Sequence, residues 1–208
     1  DYAEKGAGFI SISAQDPYLL KGVDPKKIAA SNKSASLGLK NFRKYTMNDL
    51  KSWCVMSIPT RDWAKRVFPD VAEDEAVEKL WDAIFRATRM YEEDPVKAWE
   101  EHLKNIENRV NFLNEKSFKK LYYKSSNGTD LTVELPEGHI WAGGGGKNKK
   151  GVYFVANMPT EEVFTLPHKY GVNGVVYSTK PLNYGGNLIN NFSLTFEDGK
   201  VVDFKAEE

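Results

Sequence analysis

The sequence predicts a protein of the α/β (α+β) class whose first half mixes strands with helices and whose second half is rich in strands. In the first half, short apolar runs alternate with longer segments of helical periodicity, which is the pattern of a sheet that carries packed helices. From about residue 119 onward, every strong pattern is that of a β-strand bounded by turn residues. These observations predict an α/β domain over 1–118 and a β-rich domain over 119–208.

Two strands are predicted in the first half. Gly8–Ala14 alternates apolar with small polar residues, and Ser52–Ile58 is an apolar run short enough to be a buried strand. Helical patterns follow each of them. This order of elements is typical of a partly parallel sheet with helices packed against it.

Four helices are predicted around these strands. Asp24-Pro25 begins the first, because proline is favoured at the first helical position, and the pattern continues over residues 26–45. The others are expected over 61–68, over 74–91 and from Asp94-Pro95 onward. The inward-facing stripe of the last helix is expected to comprise Val96, Trp99, Leu103, Ile106 and Val110.

The second half is expected to consist of short strands joined by tight turns. Asn127-Gly128 and Asp198-Gly199 are turn dipeptides between strand-forming runs. The predicted strands cover residues 119–125, 130–135, 151–157, 173–179, 188–194 and 201–204. Because the last strand runs almost to residue 208 and the chain opens without methionine, we expect the β-rich domain to be truncated and the first domain to be incomplete at its start.

The composition argues against several classes of protein. Lysine plus arginine and aspartate plus glutamate both number 29, and this zero net charge disfavours nucleic acid as the main partner. No apolar run approaches the length that spans a membrane. The single cysteine, Cys54, excludes an internal disulfide and a cysteine-based metal cluster, and it is expected to be a buried thiol. Together these features predict a cytoplasmic protein.

A glycine run and the histidines suggest ligand binding, but neither has the residue spacing of the usual binding motifs. The glycines of Gly143–Lys147 lack the flanking glycine and the Ser or Thr of a phosphate-binding loop, so a mobile surface loop is expected. The three histidines are scattered and form none of the close pairs of usual zinc sites. His102 is expected to be solvated on the polar side of its helix. His139 and His168 are the histidines that could approach a site.

The stretch 157–167 places two adjacent carboxylates, Glu161 and Glu162, in a run that otherwise favours a buried strand. The residues expected to be core in this run are Val163, Phe164 and Leu166. Because successive side chains of an extended segment point to opposite faces, one carboxylate is expected to face inward or into a cleft. Two interpretations stay open: a loop with two exposed acids, or an inward acid held by a divalent cation.

The same stretch, NMPTEEVFTLP, resembles a motif of the aminopeptidase T and aminopeptidase S family of dinuclear metallopeptidases. Further segments similar to that family are Asn127–Leu131, Gly138–Trp141, Gly174–Leu182, Tyr184–Gly186 and Phe192–Val202. The resemblance covers most of residues 119–208, and the α/β first half is compatible with the family's amino-terminal domain. The chain therefore resembles an internal fragment of such an enzyme.

The resemblance implies one metal ligand in this chain. In the family, the glutamate immediately before Val-Phe binds metal, so Glu162 is expected to be a ligand and Glu161 a neighbour that supports it at most. The remaining family ligands are another Glu, two His, an Asp and a Tyr, in segments that this chain lacks. The fragment is therefore expected to bind no metal stably, to contain no catalytic residue of its own and to be inactive.

The resemblance also implies the activity of the intact enzyme. It would remove single amino-terminal residues from short peptides, using two divalent ions, either zinc, cobalt or manganese, and it would act as a homodimer. An alternative stays open: the chain could be a non-catalytic module that binds peptides or proteins on the same scaffold. The two hypotheses differ in whether the parent gene continues with the missing ligands. No glycine fingerprint supports nucleotide binding.

Overall fold

The structure of the protein is a computed structural model that describes residues 2–14, 16, 18–184 and 187–207. Its first half combines strands with helices and its second half is rich in strands, as predicted, which confirms the α+β class. Within those ranges, no helix combines the length and the apolar character that crossing a membrane requires. Gly185 and Gly186, which belong to one of the family-like segments, lie outside the described residues.

The chain divides into two units that alternate along the sequence. The first comprises Asp1–Glu107 and Gly143–Glu162, and the second comprises Asn108–Ala142 and Val163–Glu208. The predicted boundary near residue 119, between an amino-terminal domain and the start of a catalytic domain, remains a prediction.

The first unit contains a parallel pair of strands, β1 (Phe9–Ser13) and β2 (Trp53–Ser57). Their register places Phe9 opposite Trp53 and Ser13 opposite Ser57, which confirms the predicted parallel pairing. Cys54, in β2, is half-buried rather than fully buried. Burial still raises the pKa of its thiol, so the thiol stays protonated at neutral pH.

Parallel strands require a long crossover connection, and two helices occupy it here. They are α1 (Pro25–Gly38) and α2 (Lys40–Met47). The prediction of one helix over 26–45 is therefore wrong. Leu39 ends the first helix and begins the second, and the preceding Gly38 weakens the helix there because glycine loses more backbone freedom than any other residue.

Three further helices follow β2, and they are α3 (Arg61–Val67), α4 (Glu73–Ala87) and α5 (Pro95–Lys116). The hydroxyl of Thr60 caps α3 by accepting a hydrogen bond from the backbone amide of Trp63 at 3.3 Å. The core of this region lies between α3 and α4, where Ala64, Ala76 and Leu80 are buried. Ala76 and Leu80 of α4 thus face the core.

The apolar stripe of α5 differs from the prediction at one residue. Ile106 is buried, and Trp99, Leu103 and Val110 are partly buried as expected. Val96 is 70% exposed, so its assignment to the inward face is wrong. Val96 lies in the first turn of the helix. Trp99, which follows it, is the first residue of the stripe to pack against a neighbouring segment.

The glycine run forms a hairpin rather than the mobile loop that the sequence predicts. Its strands, β6 (Gly145–Lys147) and β7 (Tyr153–Val155), pair antiparallel. Gly145 faces the ring of Tyr153 so closely that a Cβ atom at this position would clash with the phenol. Glycine is therefore required at position 145, where the Tyr153 ring and the backbone of Phe154 leave no room for a Cβ atom.

The segment that follows β7 returns to β2. The backbone amide of Val55 donates to Ala156 O at 2.8 Å, and the amide of Met158 donates to Val55 O at 2.8 Å. This parallel bridge pairs Val55 with Asn157. The chain leading to the two glutamates is thus fixed to a strand of the first unit.

The second unit is built on an antiparallel sheet, which confirms the strand-rich character predicted for this half. Its strands are β3 (Lys120–Lys124), β4 (Asp130–Glu134), β9 (Val172–Tyr177), β10 (Leu182–Tyr184), β11 (Asn187–Glu197) and β12 (Lys200–Glu207). The strand order is β10-β11-β9-β4-β3, with β12 also paired to β11. Turns at Asn127-Gly128 and Asp198-Gly199 join β3 to β4 and β11 to β12, as predicted.

Two short strands, β5 (Ala142–Gly143) and β8 (Val163–Phe164), form a separate pair. Two residues predicted to be core in this stretch are not, because Phe164 is 53% exposed and Leu166 is 77% exposed. A strand of only two residues places no continuous apolar face against a sheet. The apolar pattern of the stretch therefore does not become a buried strand.

We predict that the hairpin tolerates alanine at one glycine and not at its neighbour. Gly145→Ala should destabilise the protein by about 1–3 kcal/mol, because its Cβ would lie 2.9 Å from the backbone oxygen of Phe154 as well as against the Tyr153 ring. Gly146→Ala is the matched control, because no atom lies within 4 Å of its added Cβ, and its effect should stay within about 0.5 kcal/mol. Urea denaturation monitored by circular dichroism measures both, and equal effects would contradict the prediction.

Candidate functional site

The two glutamates follow a buried threonine at the end of the segment that pairs with β2. Thr160 is 7% exposed, whereas Glu161 and Glu162 are both exposed. Neither carboxylate is therefore buried, contrary to the expectation that one of them faces inward. Thr160 is the buried residue of this stretch, and the two acids that follow it differ in their contacts.

Glu161 is held by two cationic or proton-donating side chains of the first unit. Its Oε1 lies 2.9 Å from Nη1 of Arg89, and its Oε2 lies 3.4 Å from Nε2 of His102. The side chain of Arg89 is 22% exposed and that of His102 is 14% exposed, whereas that of Glu161 is 57% exposed. A partly exposed carboxylate thus binds two groups that lie mostly inside the protein.

His102 is not solvated, contrary to the sequence prediction. Its Nδ1 lies 3.0 Å from Nη2 of Arg89, and its Nε2 lies 2.8 Å from the carbonyl oxygen of Thr160. Because a guanidinium can only donate and a carbonyl oxygen can only accept, Nδ1 must accept and Nε2 must carry the proton. His102 therefore links Arg89 to the backbone that immediately precedes the glutamates.

Arg89 adopts an unusual backbone conformation just beyond the end of α4. Its φ is +60°, a left-handed value that favours glycine, and it lies one residue past the C-cap, Thr88. The guanidinium lies 5.1 Å from the centre of the Trp99 ring. The indole Nε1 of Trp99 in turn donates to Thr88 O at 2.8 Å. Trp99 thus supports both the backbone and the side chain of this turn.

Glu162 differs from Glu161 in having no hydrogen bond or ion pair with any other residue that the structure describes. Its exposed carboxylate is a hard oxygen donor of the kind that divalent cations bind. A single carboxylate does not hold an ion tightly by itself. Across the described ranges, no group of three or more His, Cys, Asp or Glu side chains could hold a metal ion.

The two histidines proposed as neighbours of a site both lie in the second unit. Nδ1 of His139 lies 3.0 Å from Pro136 O, which can only accept, so Nε2 is left as an acceptor. This Nε2 is buried and has no partner among the described residues. His168 is exposed, and its ring makes an edge-to-face contact with the ring of Tyr170, with the two centroids 6.1 Å apart.

His168 interacts electrostatically with Glu134, an acid of the antiparallel sheet. Lys120, whose Nζ lies 2.7 Å from Glu134, lowers the pKa of that carboxyl by hydrogen bonding and by its charge, and His168 adds a smaller effect. A cavity of about 560 Å³ in the second unit is lined by His139, Lys120 and Glu134. Glu134 is thus paired with Lys120, whereas Glu137, which also lines the cavity, has no ion pair with a described residue.

Sequence reasoning missed the contacts that Arg89 and His102 make with Glu161. Thr160 lies 58 residues from His102 in sequence, so no local spacing connects them. Both residues also fit an ordinary solvent-facing position in a helical pattern. Only the return of the chain to β2 brings the glutamates to the end of α4.

Comparisons with known proteins place this chain in a family. The whole chain, residues 1–208, matches the family described as "Thermophilic metalloprotease (M29)". It is 52% identical over 208 residues both to Aminopeptidase 2 of Geobacillus stearothermophilus and to Aminopeptidase AmpS of Bacillus subtilis. Each match covers 100% of this chain and 50% of the relative.

A solved structure shows the same fold. Wild-type AmpT from Thermus thermophilus matches with a TM-score of 0.91 at 38% identity, over 99% of this chain and 50% of that chain. The chain therefore spans about half the length of the relatives that it matches.

We predict that glycine is the more stable replacement for Arg89, whereas alanine is the more stable replacement for Arg86. At position 89, Arg89→Gly should be more stable than Arg89→Ala by about 1 kcal/mol, because only glycine adopts a positive φ without steric cost. At position 86, inside α4, Arg86→Gly should be less stable than Arg86→Ala by about 0.5 kcal/mol.

Chemical denaturation of the four variants measures the two differences. Arg86 is the matched control because it is an exposed arginine of the last turn of α4 that pairs with Asp82 at 2.8 Å. If alanine were the more stable substitution at both positions, Arg89 would carry no backbone strain.

Proposed function

Because the chain belongs to the thermophilic metalloprotease family M29, we propose that it forms part of a metal-dependent aminopeptidase and that Glu162 binds one of its metal ions. The parent enzyme would remove single amino-terminal residues from short peptides. The names of the relatives support this, since Aminopeptidase 2 and Aminopeptidase AmpS are each matched over the whole of this chain. These relatives also favour the enzyme over a non-catalytic binding module.

The observation that carries the proposal is the contrast between the two glutamates. Glu161 is engaged by Arg89 and His102, whereas Glu162 has no partner in the described part of the chain. A carboxylate that remains uncommitted beside a fixed neighbour is suited to bind a cation without first losing another partner. Glu162, and not Glu161, therefore fits the role of the ligand.

Two divalent ions, drawn from zinc, cobalt and manganese, are proposed for the intact enzyme; when bound, they would activate a water molecule and polarise the scissile carbonyl. Glu162 contributes one carboxylate to holding them. His139 has the free, buried Nε2 of a metal-binding histidine whose other nitrogen donates to a carbonyl, and we keep His139 and His168 as candidate neighbours of the site. The other ligands are proposed to lie in the half of the relatives' length that this chain does not span.

The remaining features of the parent are proposed on the same basis. Short peptides are its substrates, and we propose a cytoplasmic homodimer. The balanced charge of the chain supports the absence of a nucleic-acid partner.

The metal role of Glu162 is tested in the parent enzyme by Glu162→Gln, which keeps the size of the side chain and removes its charge. We expect the bound metal per protein, measured by plasma mass spectrometry, to fall by about half or more, because one of the ligands is lost. Glu78→Gln is the control, since Glu78 is an exposed acid of α4. Full metal content in Glu162→Gln would refute the assignment.

The 208-residue chain by itself is predicted to lack peptidase activity. It should show no turnover of leucine or arginine anilides with added cobalt or zinc, because no set of three metal-binding side chains exists in the described residues. Robust turnover that a chelator abolishes would show that the chain contains a complete site.

A further inference from the structure

We propose that Arg89 and His102 are positioning residues that orient Glu162 by fixing the residues immediately before it. This inference rests on the metal-binding role of Glu162 proposed above. Neither residue touches the Glu162 carboxylate; they act through Glu161 and through the carbonyl of Thr160.

Three contacts fix the backbone within four residues of the chain. The amide of Met158 donates to Val55 O, the carbonyl of Thr160 accepts from His102, and the carboxylate of Glu161 binds Arg89. Because Glu162 directly follows Glu161, these contacts restrain the backbone from which its side chain projects. The position of the proposed ligand is thus restrained before any ion arrives.

Arginine is the side chain that this arrangement requires. Nη1 binds Glu161 while Nη2 donates to Nδ1 of His102, so two different nitrogens of one rigid guanidinium serve two partners. A lysine ammonium carries the charge but lacks this fixed fork. The network therefore depends on the shape of the cation as well as on its charge.

The backbone at Arg89 supports a role for its side chain. A non-glycine residue in the left-handed region costs about 1 kcal/mol, and glycine is the usual residue one position past a helix C-cap. Strain of this kind is commonly retained where a side chain has a function. Trp99 stabilises the strained turn through its ring and its Nε1–H.

Glu161 also keeps the arginine away from the proposed ligand. Glu161 and Glu162 are neighbours in sequence, and Arg89 binds Glu161. If Glu161 is removed, the guanidinium becomes available to the remaining carboxylate. The Arg89–Glu161 pair therefore leaves the charge of Glu162 free for a metal ion.

The test is metal affinity in the parent enzyme, measured by competition with a chromogenic chelator. Arg89→Met and Glu161→Ala should each weaken zinc binding about 10- to 100-fold, the usual effect of removing a group that orients a ligand. The double variant should be no weaker than the weaker single variant, because both changes remove the same Arg89–Glu161 ion pair. Arg86→Met, at the exposed pair with Asp82, should keep wild-type affinity.

A conservative substitution separates positioning from folding. His102→Ala should lose affinity, whereas His102→Gln should recover most of it, because the glutamine amide both accepts from Arg89 and donates to Thr160 O. If both His102 variants bind zinc as weakly as each other, or if Arg89→Met binds as well as the wild type, the positioning role is refuted.

A second readout needs no metal and no activity. In the metal-free 208-residue chain, the ¹⁵N heteronuclear NOE of the Glu162 amide should fall in Arg89→Met and stay unchanged in Arg86→Met. An unchanged NOE in Arg89→Met would refute the proposal. The two proposals also fail in different ways: wild-type metal content in Glu162→Gln overturns the ligand, whereas loss there with full affinity in Arg89→Met overturns only the positioning.

Discussion

The ion pair between Arg89 and Glu161, completed by His102, is the constraint on which the arrangement of the candidate site depends. It joins the turn after α4, the middle of α5 and the segment that pairs with β2. These elements come from separate parts of the first unit's sequence. Without the pair, the glutamates would follow Thr160 on a short exposed segment with only the backbone bridge to Val55 upstream of them.

The energetics of this network explain its composition. An exposed ion pair alone contributes about 1 kcal/mol or less, which is comparable to the cost of the left-handed backbone at Arg89. The pair gains from the low exposure of Arg89 and His102, from the Trp99 ring and from hydrogen bonds that use both ring nitrogens of the histidine. The network is therefore suited to fix a direction more than to stabilise the fold.

Glu161 and Glu162 differ in their availability to a metal ion. One carboxylate is committed to the protein, and its neighbour is left as the available oxygen donor. Under the proposed function, Glu162 would bind the ion while Glu161 holds the adjacent backbone. The chain spans half the length of its aminopeptidase relatives, and Glu162 is the one ligand that we propose within it.

The sequence by itself determined most of the elements, because helical and strand periodicity and turn dipeptides such as Asn127-Gly128 are local signals. The same local signals misled at Val96, Phe164 and Leu166, since burial depends on what an element packs against. Motif resemblance singled out Glu162. Only the tertiary structure decided which glutamate is restrained and by which groups, because Arg89 and His102 reach Glu161 through the return of the chain to β2, which no local spacing encodes.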